Sequence, residues 1–205
     1  MIVVGLTGKA CSGKNVIADM LVKEGWRVVD VDKLGHPILQ QSAGELTSAF
    51  GPSVISSDGT VDRRALGSIV FSDAAKLRKL EDITHPRMVK ECGEIVDEEA
   101  ARGGKVVVLN AALLSRMHLD RLCSMVVFVK VPWNIRYHRA QSRDGMDWRR
   151  FRARESAQKD IDVRMIEPGR EVIVLDNSGT LESVHRQVVS LCDKINQAIR
   201  KDWQV

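Results

Sequence analysis

Apolar residues along the chain fall into two alternating kinds of pattern. Predominantly apolar runs occur at Ile2–Thr7, Arg27–Val31, Lys105–Leu109, Met125–Val131 and Glu171–Leu175. Their lengths and β-branched content predict five strands. Runs that do not alternate with polar residues are the mark of parallel strands buried on both faces. Between them lie stretches with helical spacing. One covers about Val16–Lys23. Another covers Leu181–Lys201, where Val184, Val188, Leu191, Ile195 and Ile199 share one stripe. A strand–helix alternation over the whole chain predicts a three-layer α/β domain on a five-stranded parallel sheet.

Two stretches depart from that alternation. Residues from about Leu34 to Arg102 lack a convincing strand and read as helices, which predicts a helical insert over about 34–102. The segment from Arg139 to about Pro168 reads as helix–turn–helix and predicts a mobile lid over 139–168. The core then comprises about 1–33, 103–138 and 169–205 of a single domain. At 205 residues the chain suffices for one such domain.

Composition narrows the class. Hydrophobic residues are 44% and charged residues 28%, as in ordinary globular proteins. No apolar run approaches the roughly 20 residues of a membrane span, and the N-terminus lacks a signal-peptide pattern. A cytoplasmic protein with no membrane partner is expected. Cys11, Cys92, Cys123 and Cys192 form no CxxC pair, so reduced thiols are expected and a zinc site is not. The net charge is +4, but five arginines against two aspartates between Arg143 and Arg154 concentrate it. Such a cluster suits a polyanion, either a small phosphorylated molecule or nucleic acid. Aromatics are only 4%, too few for an extended stacking surface, which speaks against base stacking and hence against a nucleic-acid partner.

The sharpest chemical signal is Gly8-Lys9-Ala10-Cys11-Ser12-Gly13-Lys14-Asn15, a GxxxxGK pattern between a predicted strand and a predicted helix. Glycines let the backbone close around phosphate oxygens, N–H groups point inward, and the helix adds its positive end. Lys14 would reach between the β- and γ-phosphates. In this pattern the next residue is normally a Ser or Thr that ligates Mg²⁺. Here it is Asn15, whose amide oxygen can also ligate Mg²⁺, directly or through a water. The second strand ends in Asp30-Val31-Asp32. If still extended, it puts both carboxylates on one face, at the strand end where ligands bind in parallel sheets. Asp32 either takes a proton from an acceptor hydroxyl or caps a helix starting at Lys33.

These residues, with others in order along nearly the whole chain, resemble the dephospho-coenzyme A kinase family. The resemblance rests on Gly5-Leu6-Thr7 with the phosphate loop and on Asp30-Val31-Asp32. It continues through Asp58-Gly59 to Arg63-Arg64-Ala65-Leu66 with Val70-Phe71, then Thr84-His85-Pro86, Arg139 to Arg143-Asp144, Gln158, and Val172 to Asn177 with Gly179. It implies a P-loop kinase fold and transfer of the γ-phosphate of ATP to the 3′-hydroxyl of dephospho-CoA, the last step of coenzyme A synthesis, with Mg²⁺. It implies Asp32 as the catalytic carboxylate and the insert as the acceptor site. Lys14, Arg139 and Arg143 are the further catalytic candidates. Arg139 and Arg143, four apart on one helix face, would offset phosphoryl charge. Arg63 joins Asp32 at the acceptor; Arg63 and Arg64 are both placed to reach its phosphates, with one of the two as a helix-surface charge. His85, beside a helix-starting Pro86, holds a hydrogen-bonding or acceptor-positioning role, and Asn177 either cradles adenine or is a turn residue. A monomer or small homo-oligomer is expected.

Several positions depart from the family pattern. Asn15 replaces Ser/Thr, Lys9 replaces a small residue, and Asn110-Ala111-Ala112-Leu113-Leu114-Ser115-Arg116 lacks a proline and a glutamate. The stretch between Gln158 and Asn177 is a few residues longer. Two alternatives remain: a kinase of another small acceptor such as a nucleoside monophosphate or shikimate, and a nucleotide-binding protein without turnover.

Overall fold

The computed structural model describes residues 1–202. Five strands form one parallel sheet in the order β2-β3-β1-β4-β5. They are β1 (Ile2–Thr7), β2 (Arg27–Asp30), β3 (Val106–Asn110), β4 (Met125–Lys130) and β5 (Glu171–Asp176). Register runs Val4 to Val108 on one side of β1 and Val4 to Met125 on the other. The three central strands are buried almost throughout, as their unbroken apolar sequences demand. The two edge strands are only partly covered.

Among the described residues eight α-helices connect or follow them: α1 (Lys14–Lys23), α2 (Val31–Gln41), α3 (Ala43–Phe50), α4 (Arg63–Val70), α5 (Ala74–Ala101), α6 (Trp133–Asp144), α7 (Trp148–Ala157) and α8 (Leu181–Asp202). Contacts divide the chain into two compact units, 1–30 with 95–205, and 31–94. In the first, Ile17 and Leu21 of α1 and Val184, Val188, Leu191 and Ile195 of α8 pack on Val4, Leu6, Val108 and Val127. Each Å² of apolar surface buried there contributes ~25 cal/mol to the unit's stability. In the second, Leu46, Val54, Leu66 and Val70 form a separate core with Leu39, Phe50, Leu77 and Leu80 around it. Asp62 caps α4 by accepting the N–H groups of Arg64 and Ala65, both at 2.9 Å.

Three local expectations are corrected. The second strand stops at Asp30 and α2 begins at Val31, so Asp30 and Asp32 do not share a strand face. Asp32 does not cap a helix starting at Lys33 either. It lies inside the first turn of α2, where its negative charge suits the positive helix end. Pro86 does not start a helix: α5 runs through it, forgoing the bond its N–H would have made to the residue-82 carbonyl. Buried Thr84, Met88 and Cys92 on either side hold the helix through that gap. α6 begins six residues before Arg139, at Trp133, where Pro132 ends the preceding extended backbone. No described helix is long and apolar enough to cross a membrane.

Candidate active site

β1, the middle strand, runs straight into the loop Gly8–Gly13, and α1 begins at Lys14. The chain leaves β1 toward β2 and β3 on one side and toward β4 and β5 on the other, so its carboxyl end is the switch point where ligands bind. Two glycines are fixed by close approach. Gly8 has φ 149°, and a Cβ there would stand 2.6 Å from the Val129 carbonyl oxygen. Gly13 has φ 85°, and a Cβ there would collide with the Asn177 side-chain amide. Cys11 takes the left-handed conformation at φ 61° without being glycine, which costs backbone energy and shapes the loop.

Lys14 Nζ donates to the Gly8 carbonyl at 3.0 Å, so the lysine folds over its own loop. Buried Ser12 directs its side-chain oxygen over Gly8, 3.1 Å from where a Cβ would be, and that oxygen has no partner. A cradle that a side chain would fill, with an orphaned polar atom in it, fits an anionic ligand. Asn177, predicted as a turn or adenine residue, is buried, and its Nδ2 donates to the Ser12 carbonyl at 2.7 Å. Arg139 Nη2 donates to the Asn177 backbone carbonyl at 2.8 Å, and its guanidinium lies beside Gly13. Arg143 is exposed, paired with Asp144, and reaches the Cys11 sulfur at 3.9 Å. The bond to Asp144 raises the Arg143 pKa and lowers that of Asp144.

Asn15 begins the first turn of α1 after Lys14. Its Oδ1 accepts from Asn110 Nδ2 at 3.2 Å, and the buried Oδ1 of Asn110 has no partner. Asn15 and Asn110 thus offer two neutral amide oxygens to a divalent ion here. They fit Mg²⁺, which takes carbonyl oxygens alongside waters and phosphates.

Sequence reasoning missed the brace that α6, α7 and the residues next to them form around the loop: it gave Arg136 and Glu155 no place, and Gln158 and Arg116 no role beyond their motifs. Arg136 is 5% exposed. It forms a two-pronged pair with Glu155 at 2.6 and 2.7 Å, donates to the Val131 carbonyl, and reaches the Ala10 carbonyl at 3.4 Å. That guanidinium bond holds the Glu155 carboxyl below the ordinary range, with Lys9 adding its charge. Gln158 Oε1 accepts from Ala10 N–H at 2.8 Å. Arg116, in the motif lacking its glutamate, pairs with Asp160 at 2.6 and 2.7 Å. Rings of Trp133, Tyr137, Trp148 and Phe151 lock α6 to α7 at centroid spacings of 4.8–5.7 Å. The available signal was spacing: Arg136, Arg139 and Arg143 recur at i, i+3 and i+7, one helix face.

In the second unit, Arg63, His36, Leu39, Leu66 and Phe71 line an open groove of about 680 Å³. Phe71 is 79% exposed. Arg64 lines the same groove. His85 is half-buried on α5 beside buried Thr84, and Asp32 is exposed on α2.

A family model described as CoaE, dephospho-CoA kinase, matches residues 2–183. A dephospho-CoA kinase of Corynebacterium glutamicum is 36% identical over 198 residues, 95% of this chain and 98% of that protein. Another, of Shouchella clausii, is 33% identical over 188 residues, 90% and 94% of the two chains. Among solved structures, a Thermus thermophilus protein superposes with TM-score 0.76 at 30% identity, covering 94% of this chain and 97% of that one. A dephospho-CoA kinase from Campylobacter jejuni shares the fold at TM-score 0.62 and 21% identity, covering 94% and 96%.

Proposed function

The chain belongs to the dephospho-CoA kinase family, whose members are ATP-dependent kinases, and from that membership we propose how its own residues carry the transfer. The γ-phosphate of ATP passes to the 3′-hydroxyl of dephospho-CoA, the last step of coenzyme A synthesis. The triphosphate lies in the loop from Gly8 through Lys9, Ala10, Cys11, Ser12 and Gly13 to Lys14 and Asn15. Lys14 exchanges the Gly8 carbonyl for β- and γ-phosphate oxygens, so a bond from the ammonium to a neutral acceptor is replaced by one to an anionic acceptor. Arg139, held by Asn177, and Arg143 offset charge on the phosphoryl group as it moves. Asn177 positions the loop through Ser12.

Asp32 orients the 3′-hydroxyl and takes its proton. The hydroxyl oxygen bonds to the γ-phosphorus, the bond from that phosphorus to the bridging oxygen breaks, and ADP leaves. Arg63, in its groove, binds acceptor phosphate, the groove's apolar wall takes the acceptor's alkyl arm, and His85 positions the acceptor from α5. Mg²⁺, when bound, supplies charge neutralisation of the phosphates; Asn15 and Asn110 are the residues that would hold it. The segment 139–168 acts as lid and 34–102 as the acceptor-binding insert.

The observation that carries this reading is the convergence of Lys14, Arg139 and Asn177 on the loop at the end of the central strand. The test is a coupled ADP-release assay with dephospho-CoA, adenosine, AMP and shikimate. Turnover with dephospho-CoA far above the others is expected. Preference for another acceptor, or ATP binding without turnover on any, would overturn it.

A further inference from the structure

A second polar site lies away from the phosphate loop, where the turn before β4 meets the segment leading into β5. One ligand atom each from His118, Asp120 and Glu167 falls within 4.8 Å of the others. Asp120 is 1% exposed. Its Oδ2 accepts the Glu167 backbone N–H at 2.9 Å, while its Oδ1 is buried and has no partner. A carboxylate taken out of water with half its acceptor capacity unused is costly. Something cationic at that oxygen would remove the cost.

Arg121, the adjacent cation, pairs with Glu167, its Nε reaching Oε2 at 3.3 Å, and leaves Asp120 Oδ1 unmatched; a metal would have to share Glu167 with it or displace it. His118 is exposed and offers an imidazole nitrogen. Its backbone is left-handed at φ 56° and heads the short 3-10 turn Leu119–Leu122, which fixes it two residues from Asp120. We propose that His118, Asp120 and Glu167 bind one zinc-class divalent ion, with Asp120 Oδ1 as its buried anchor. One nitrogen and two carboxylate oxygens are a common zinc set, with water as the fourth ligand. A tetrahedral ion places its ligands about 3.3 Å apart. The exposed His118 and half-exposed Glu167 side chains have room to close that gap. The site needs no cysteine, so the absence of a CxxC pair does not bear on it. Such an ion would pin two segments 47 residues apart in sequence, holding the end of the 139–168 segment to the sheet.

The test uses the full chain, metal-free and without nucleotide, titrated with Zn²⁺ alone by calorimetry and with Co²⁺ by visible absorption. One Zn²⁺ per chain, a rise in melting temperature and a Co²⁺ band of tetrahedral intensity are expected. His118→Asn suits the left-handed backbone, and Glu167→Gln keeps the side chain's shape. Each should weaken Zn²⁺ binding by about tenfold or more, as disturbing a coordination shell does, and cancel the temperature rise. Turnover of dephospho-CoA at saturating Mg²⁺ should stay at the unsubstituted level in His118→Asn. Absence of saturable Zn²⁺ binding would overturn the site and leave a buried water as the partner of Asp120. Binding unchanged in both variants would place the ion elsewhere, at Cys11 for example, and equally overturn it.

Discussion

Asn110 donates its side-chain amide to the amide oxygen of Asn15 across 3.2 Å, joining the end of β3 to the first turn after the phosphate loop. Asn15 therefore cannot be read alone. Its oxygen is held in place by Asn110, whose own Oδ1 is buried with no partner. The departure from Ser/Thr at position 15 is thus met by an amide at the end of the neighbouring strand.

Mg²⁺ dependence should show this pairing. Asn15→Thr should keep activity and shift the Mg²⁺ concentration giving half-maximal rate. Asn15→Leu, which leaves no side-chain oxygen, should raise that requirement steeply or remove activity. Asn110→Asp should lower it, because a carboxylate is a stronger ligand for a hard cation than an amide. The measurement is rate against Mg²⁺ at fixed ATP. Superimposable curves for the unsubstituted chain and Asn15→Leu would show that position 15 does not touch the metal.

Lys14→Ala should abolish phosphoryl transfer and leave the fold intact. The lysine donates to a carbonyl within its own loop and takes no part in the hydrophobic core, so its removal opens no core cavity. Circular dichroism with a turnover assay checks both halves. A folded variant turning over at the normal rate would remove Lys14 from the chemistry.

Asp32→Asn should retain ATP affinity and lower kcat by about 10²–10⁴, the range for a positioned acid–base group. The residue is exposed in the first turn of α2, so stability should change little. Loss of ATP affinity with kcat preserved would assign it to the nucleotide side.

Glu155→Ala should be the costly change in the brace. Arg136 would keep its burial without its carboxylate, a loss of about 3 kcal/mol or more. The pH dependence follows from the same pair. The Glu155 pKa is lowered in the folded chain. Its contribution is therefore complete above the ordinary glutamate range and fades as pH falls through the lowered value. Thermal melts from pH 7 down to pH 3 should steepen in the unsubstituted chain relative to Glu155→Gln. Parallel curves would exclude Glu155 as the source.

Cys11 should alkylate fastest of the four thiols, and bound ATP should protect it. It sits in the loop ahead of α1, with the Arg143 guanidinium 3.9 Å from its sulfur. By contrast, burial pushes the Cys92 and Cys192 thiols up to about 11. Mass spectrometry of labelled peptides with and without ATP separates them. Equal labelling of Cys11 and Cys192 would refute the assignment.

The parallel sheet was legible because Val, Ile and Leu runs in β1, β3 and β4 have no polar interruption, which only burial on both faces explains. The phosphate loop was legible because its spacing is local. Asp32 stays open between a strand end and a cap at Lys33 in the sequence because Asp30-Val31-Asp32 alternates, and nothing in three residues announces that the helix has already begun at Val31. The Pro86 reading failed because proline is a strong breaker locally, whereas long α5 tolerates one missing bond. The brace was hidden because Arg136 and Glu155 are 19 residues apart, and their pairing exists only once α6 and α7 fold against each other.

The aromatic contact between those helices gives the protein an optical reporter of its own. Trp133 and Trp148 meet edge to face at 4.8 Å, one on each helix. Indole emission depends on solvent access and on nearby quenching groups, and Trp148 is 46% exposed with Arg152 over its ring. Any rearrangement of α6 against α7 during turnover should change emission intensity and wavelength without an attached dye. Stopped-flow mixing with ATP could then time that rearrangement directly, and Trp148→Phe would identify the ring that carries the signal.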